Sequence, residues 1–369
     1  MHSRFGLTLM VNHACNLRCT YCYTGDKLRR PMPLEIGRQA IDRALASLTA
    51  GGTLELGFFG GEPLIEAESI ARLVMYAAEQ ADAADVTLLC GLTTNGTIDT
   101  DAAWSVMTLP DLRLAISHDG LPEVHDRHRI TAEGAATSSR VLRTIERLQA
   151  AGKKFRVVSV VRPDTVDELP RSLVFLYDLG VSYFDLSLDL WARWTVGDGD
   201  RLLGAVRACA DFWGERLPDC AVSWFDDKAG RFAGVPIDET ARCGFGYSEI
   251  AVAPSGNLYP CERLIGADEP ANRMRLAGHV TEGEDFLDRR REPGRSDDGC
   301  QRCAVSELCS TTCRCSNYIR TGDISRPDGL LCLWDQACLR ETVRVLKART
   351  SLQQREVSHD KRGTLTRWA

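Results

Sequence analysis

Three cysteines, Cys15, Cys19 and Cys22, fall within eight residues at x3 and x2 spacing, just after the apolar run FGLTLMVN (5–12). A loop at that place brings three thiolates to one end of a strand. Structural zinc wants four protein ligands, and only His13 lies near enough in sequence to add one. A 4Fe-4S cluster held by three thiolates keeps one iron open to a small molecule, as a catalytic site requires. Spacing therefore favours iron-sulfur over zinc and leaves both open. A second group runs Cys243-x12-Gly256-x4-Cys261, then Cys300-x2-Cys303-x5-Cys309-x3-Cys313, then Cys332, with Cys315 and Cys338 besides. Those cysteines could equally form zinc knuckles that fold a loop-rich region. Cys90, Cys209 and Cys220 are isolated and read as small buried hydrophobes.

The elements that must carry these groups are legible as apolar, β-rich runs at 5–12, 54–59, 86–94, 112–118, 155–161 and 183–188. Helix-period segments separate them, among them PLEIGRQAIDRALASLT, LIEAESIARLVMYAAEQA, SSRVLRTIERLQAAG and ELPRSLVFLYDLG. Strands alternating with helices imply a parallel sheet with right-handed crossovers. About six units predict an α/β fold, a partial (β/α)6 barrel, with its site at the carboxyl ends of the strands by analogy with full barrels. After residue 225 the alternation stops and Gly, Pro, Asp and Arg rise. The organisation expected is a barrel over 1–225, a cysteine-organised, loop-rich domain over 226–340, and a helix end and tail over 341–369. A helix is expected from Leu333 to Arg349, followed by a basic tail without sustained periodicity.

The chain of 369 residues has 45 Lys+Arg against 51 Asp+Glu, a formal net charge of −6. That balance excludes nucleic-acid binding driven by bulk charge, and the basic tail has Trp368 as its aromatic. No apolar run is long enough to cross a membrane, and the N-terminus does not read as a secretory signal. A cytoplasmic location follows as the expectation. Fifteen cysteines in a reducing compartment then point to metal ligation rather than disulfides.

With its flanks, CNLRCTYCY resembles the S-adenosylmethionine-cleaving radical SAM superfamily, Tyr21 matching the aromatic before the third cysteine. In that family the open iron chelates the amino and carboxylate groups of the methionine moiety of S-adenosylmethionine (SAM). Gly60-Gly61-Glu62-Pro63, after LELGFF, is similar to the family's GGEP element, which hydrogen-bonds the methionine amino group. Two adjacent glycines let a backbone approach a ligand closely, and a glutamate can accept from an ammonium. Thr94-Asn95-Gly96 resembles TNG, and ISHDGLPEVHDRHR, with Ser117, Asp119, His125, Asp126 and Arg129, resembles the fourth-strand SxDG...HDxxR stretch. The resemblance implies that Ser117 and Arg129 contact the SAM ribose or carboxylate.

The C-terminal cysteines match, gap by gap, the seven-cysteine SPASM extension of radical SAM enzymes, which carries two auxiliary 4Fe-4S clusters. Carried over, Cys300, Cys303, Cys309 and Cys332 would hold one cluster, and Cys243, Cys261 and Cys313 the other. The second set is one thiolate short, and GFGYSEIAVAPSGNLYP lacks the extra cysteine of sulfatase maturases. Either that cluster has an open iron, or Cys315 or Cys338 completes it. The resemblance implies cleavage of SAM to a 5'-deoxyadenosyl radical and oxidative modification of a peptide or protein side chain: a crosslink, a thioether or a formylglycine-type maturation. It also implies a flavodoxin- or ferredoxin-type electron donor. Glu262, after Cys261, stands where sulfatase maturases have an aspartate acting as base, and burial beside a cluster would raise its pKa toward that use. Little chain precedes the first cysteine, so leader recognition is expected in the barrel, the cluster domain or a separate partner. A small-molecule radical SAM dehydrogenase and a non-catalytic iron-sulfur electron carrier are the alternatives.

Overall fold

A computed structural model describes residues 1–233, 243–289, 298–309 and 313–363. Nine strands form one sheet: β1 (His2–Asn12), β2 (Leu48–Gly60), β3 (Thr87–Thr94), β4 (Arg113–Ser117), β5 (Phe155–Val161), β6 (Tyr183–Leu188), β7 (Ala221–Val222), β8 (Glu249–Val252) and β9 (Leu258–Tyr259). Their order is β7-β6-β5-β4-β3-β2-β1-β8-β9, and only the β8–β9 pair is antiparallel. From β1 to β7 each new strand adds on the same side. A doubly wound sheet would reverse its order part-way; a singly wound one is the topology of a barrel. The two end strands, β7 and β9, are not neighbours, so the barrel is partial, as the six alternating units predict.

The crossovers are α1 (Leu34–Ala46), α2 (Ala67–Ala83), α3 (Asp101–Met107), α4 (Pro122–His128) with α5 (Ser138–Ala150), α6 (Leu169–Asp178), and α7 (Val196–Glu215). Then come α8 (Ser223–Phe232), α9 (Asp298–Gln301), α10 (Arg314–Thr321) and α11 (Gly329–Gly363). The sequence reason is periodicity. In α5, Val141, Ile145 and Leu148 recur at helical spacing and are buried against the sheet, leaving Arg and Glu outside. In β1, Phe5, Leu7, Leu9 and Val11 alternate into the helix-covered face.

Two stretches differ from the sequence reading. Strand pairing resumes beyond residue 225, because EIAV (249–252) is apolar and pairs parallel to β1 over Gly6–Leu9. The last helix begins four residues before Leu333 and runs on to Gly363, and α11 packs along α7 and α8. The expected tail beyond residue 363 lies outside the described residues. Among those residues, no helix is long and apolar enough to cross a membrane. Cys90, Cys209 and Cys220 are buried in the main core.

Candidate active site at the mouth of the partial barrel

The cysteine loop leaves β1 and is tied to the chain at both ends. Arg18 N donates to Ile130 O at 2.7 Å and Thr20 N to His128 O at 3.0 Å, so the loop lies against the segment after β4. Cys15 Sγ accepts from Leu17 N at 3.4 Å and lies 3.8 Å from Asn95 Nδ2. Burial pushes its thiol up to about 12, with Glu62 adding to the rise. The Cys19 thiol is also raised by burial, although Arg129 opposes it. Cys22 differs. Burial acts upward on it too, but the Lys27 ammonium, 2.9 Å from its sulfur, and Thr24 Oγ1 at 3.3 Å hold it below the ordinary thiol value. Cys15 and Cys22 each lie within electrostatic reach of Cys19.

Among the described residues, no three His, Cys, Asp or Glu side chains meet at the spacing of a single bound ion. Three thiols on one loop, with donors at two of their sulfurs, fit a four-iron group that keeps one iron open to a small molecule.

Glu62 is 1% exposed and holds the mouth together. One carboxylate oxygen accepts from Thr94 Oγ1 at 2.6 Å and Leu64 N at 3.0 Å, the other from Asn95 N at 2.7 Å. Burial pushes its carboxyl up to about 7, against these three donors. Pro63 starts the short helical turn Pro63–Glu66, for which Glu62 is the cap. The two glycines before it serve the protein's own backbone. A Cβ on Gly61 would sit 2.3 Å from Ala14 O, and one on Gly60 2.5 Å from Asn12 O. The GGEP segment thus lies flush against the base of the cysteine loop, with Gly61 N and Glu62 N each donating at 2.8 Å to Asn12 O and Ala14 O.

Asn95 spans the same junction from β3: its Nδ2 donates to Asn16 Oδ1 at 2.9 Å and its Oδ1 accepts from Thr97 N. Gly96 takes φ +69°, the left-handed turn that glycine permits at no steric cost.

Arg129 is buried and forms a two-pronged pair with Asp119, Nε to Oδ2 at 3.0 Å and Nη2 to Oδ1 at 3.1 Å. Tyr21 OH donates to the same Asp119 Oδ2 at 2.5 Å, and its ring lies 5.3 Å from the Arg129 guanidinium. Burial acts to raise the Asp119 carboxyl, yet Arg129 and the hydrogen bonds hold it below the usual carboxylate range. Ser117 ends β4 beside Val158 of β5. His125 Nδ1 accepts from Asp119 N, and Asp126 accepts from Thr137 N and Ser138 N, so both organise the backbone after β4.

Sequence reading missed the aromatic wall. Tyr23 stacks on Trp191 with centroids 4.7 Å apart and planes 3° apart, and on Phe59 at 6.1 Å. Asp189 at the end of β6 fixes Trp191 by accepting from its backbone N at 3.0 Å. The phenol of Tyr23 is raised by burial and feels Arg263, Glu262, Cys261 and Cys22, so Tyr23 stands between the two cysteine regions. The WARW after the last long strand was the available signal. Glu262 lies on a short turn (Glu262–Leu264), its Oε2 3.4 Å from Cys261 Sγ.

In the C-terminal group, Cys303 N donates to Cys300 O at 3.2 Å, and Cys309 is buried with its carbonyl accepting from Arg231 of α8. Cys332 lies in the first turns of α11. Cys243, Cys261, Cys313 and Cys315 share one small cluster with Phe245 and Leu264.

The sequence profile of the radical SAM superfamily matches residues 9–176, a span that holds the cysteine loop, the Glu62 clamp and the Arg129–Asp119 pair. Residues 9–176 are a radical SAM domain. Such a domain works with a 4Fe-4S cluster and SAM. Similarity extends well past it. The chain is 26% identical over 326 residues to a serine-type anaerobic sulfatase-maturating enzyme of Klebsiella aerogenes, covering 82% of this chain and 78% of that one. It is 23% identical over 342 residues to a PqqA peptide cyclase of Granulibacter bethesdensis, covering 88% and 86%. The solved structure of native anSMEcpe with bound AdoMet superposes with a TM-score of 0.77 at 18% identity, over 94% of this chain and 99% of that one, which establishes the shared fold.

Proposed function

We propose that this chain is a radical SAM enzyme that oxidatively modifies a side chain of a peptide or protein. One observation carries the reading: the radical SAM site is embedded in a chain that resembles peptide- and protein-modifying enzymes over more than four-fifths of its length. When bound, the cluster and SAM supply the one-electron chemistry that removes an unactivated hydrogen atom.

The chain's own groups divide the remaining work. Cys15, Cys19 and Cys22 hold the cluster, and Lys27 favours the thiolate of Cys22. Tyr21, Gly60, Gly61, Glu62, Pro63, Asn95, Ser117 and Arg129 form the SAM side of the mouth. Glu62 and Asn95 set its shape through their bonds to the strand ends, and the buried Arg129–Asp119 pair stiffens the strand opposite. The stacked Phe59, Tyr23 and Trp191 would line the mouth with an apolar surface for the substrate. Glu262, beside Cys261, would take a proton from a substrate thiol or hydroxyl.

The same reading assigns 1–225 to the radical SAM barrel, 226–340 to a SPASM domain and 341–369 to a helix end and tail. Cys300, Cys303, Cys309 and Cys332 would hold one auxiliary cluster there, and Cys243, Cys261 and Cys313 would belong to the other. Clusters held by these cysteines would supply an acceptor for an electron from the substrate, so that the net oxidation would need no oxygen. A flavodoxin- or ferredoxin-type donor and a cytoplasmic location complete the reading.

The test is anaerobic reconstitution followed by SAM, dithionite and a panel of Cys- and Ser-containing peptides. The expected result is 5'-deoxyadenosine together with a peptide two hydrogens lighter or crosslinked, both lost in Cys19→Ala. Production of 5'-deoxyadenosine with every peptide unchanged, and oxidation of a small alcohol instead, would transfer the chain to the small-molecule dehydrogenases.

A further inference from the structure

The spacing of the C-terminal cysteines leaves one auxiliary ligand set a thiolate short, with Cys315 and Cys338 both in reach by sequence. The structure separates the two. Cys338 is fully buried on α11 in the main core, where its thiol feels Lys228, Asp335 and Cys209. It belongs to the main core cluster and not to the small cluster that holds Cys261.

Cys315 belongs to a different neighbourhood. It lies in the first turn of α10, 2% exposed, with its Sγ 3.4 Å from Cys313 Sγ. It packs in one small cluster with Cys261, Phe245 and Leu264, and Cys243 and Cys313 close the edge of that cluster. Cys243 touches Cys313, and Cys315 touches Cys261. Four thiols from three separate segments therefore run in contact as Cys243–Cys313–Cys315–Cys261. The 3.4 Å separation is well beyond an S–S bond of about 2.05 Å.

Charges of both signs surround these four buried thiols: the Glu249 and Glu262 carboxylates act on Cys261, Glu249 acts on Cys243, and the Arg263 guanidinium acts on Cys313 and Cys315. Arg263 is within electrostatic reach of Cys315 and Cys313, and Ser316 Oγ donates to Cys313 Sγ at 3.1 Å. An iron-sulfur cluster with four thiolates is net anionic, and hydrogen bonds to its sulfurs tune its potential.

We propose that Cys315 is the fourth ligand of the auxiliary cluster held by Cys243, Cys261 and Cys313. This rests on the SPASM reading above. It implies a closed cluster with no iron free to bind substrate, which accepts electrons only. It also explains how the chain dispenses with an extra cysteine between Cys243 and Cys261.

The experiment uses the full chain with Cys15, Cys19 and Cys22 all changed to Ala, so that residual iron reports the C-terminal sites alone. Iron and sulfide are counted after anaerobic reconstitution, and the reduced protein is read by electron paramagnetic resonance with and without added imidazole. The expected result is about eight irons in this background. Adding Cys315→Ala removes between one and four of them, or makes the spectrum sensitive to imidazole, whereas Cys338→Ala does neither. Cys315→Ser, whose hydroxyl can still ligate, retains the iron with a shifted spectrum and guards against simple misfolding.

Unchanged iron and an imidazole-insensitive spectrum in Cys315→Ala would overturn the proposal. So would iron loss in Cys338→Ala instead, or a disulfide between Cys313 and Cys315 found by mass spectrometry in the reconstituted protein. Absence of iron from the triple-alanine background would refute the auxiliary clusters themselves, a failure distinct from a wrong fourth ligand.

Discussion

Arg129 and Asp119 form a buried ion pair in which both carboxylate oxygens are used, at 3.0 and 3.1 Å. The family resemblance assigns Arg129 to the ribose or carboxylate of SAM, yet here its Nε and one terminal nitrogen are committed within the protein. Its first duty is to neutralise Asp119. Arg129→Ala should therefore cost about 3–5 kcal/mol, because it strands a buried carboxylate. Urea denaturation of the metal-free protein checks this, and Arg129→Ala with Asp119→Ala should recover much of the loss. A rise in KM for SAM without loss of stability would return the arginine to ligand contact alone.

Glu62 titrates at about 7 in the folded chain, against an ordinary value of 4.5, because of its burial. The fold thus favours the protonated form. Its contribution to stability is fully present below pH 4.5 and is lost as pH rises through 7. A shift of this size amounts to roughly 3 kcal/mol. Denaturation midpoints of the metal-free protein between pH 5 and 8 should fall less steeply in Glu62→Gln than in the parent. Equal slopes would mean that Glu62 stays ionised throughout.

Gly61→Ala places a methyl 2.3 Å from Ala14 O and 2.5 Å from His13 O. Backbone is the obstacle, so the base of the cysteine loop must move. Iron bound at Cys15, Cys19 and Cys22 should drop several-fold after reconstitution while the circular dichroism of the sheet stays intact. Gly51→Ala, where an added Cβ meets nothing within 4 Å but φ is +73°, is the control for backbone strain alone.

Glu262→Gln should lower peptide turnover by a factor of about 10² to 10⁴ if it takes the substrate proton. Iron content and 5'-deoxyadenosine formation should hold. Unchanged turnover with intact clusters removes Glu262 from the mechanism.

The strands and the cysteine loop were legible because their signals are local: alternation in FGLTLMVN and three thiols within eight residues need no knowledge of the rest of the chain. The clamp was only half legible. GGEP suggested a close approach to a ligand, but the approach found is to Ala14, a contact that joins residues far apart in sequence. Tyr23 was passed over in favour of Tyr21 because its partner Trp191 lies far along the chain. The two-residue step from Cys313 to Cys315 was visible, but its meaning depends on where Cys261 and Cys338 end up.

Strand β1 is an interior strand, hydrogen-bonded to β2 on one side and to β8 on the other. During synthesis the first partner follows within the next 50 residues, whereas Glu249–Val252 emerges some 200 residues later. Throughout that interval the strand that ends in the cysteine loop presents a bare edge, a template for pairing with any passing chain. Completion of the C-terminal half therefore closes the second edge of the strand that carries the first site. Until β8 docks, the cysteine loop is tied to residues 128 and 130 while the strand that carries it is paired on one side only.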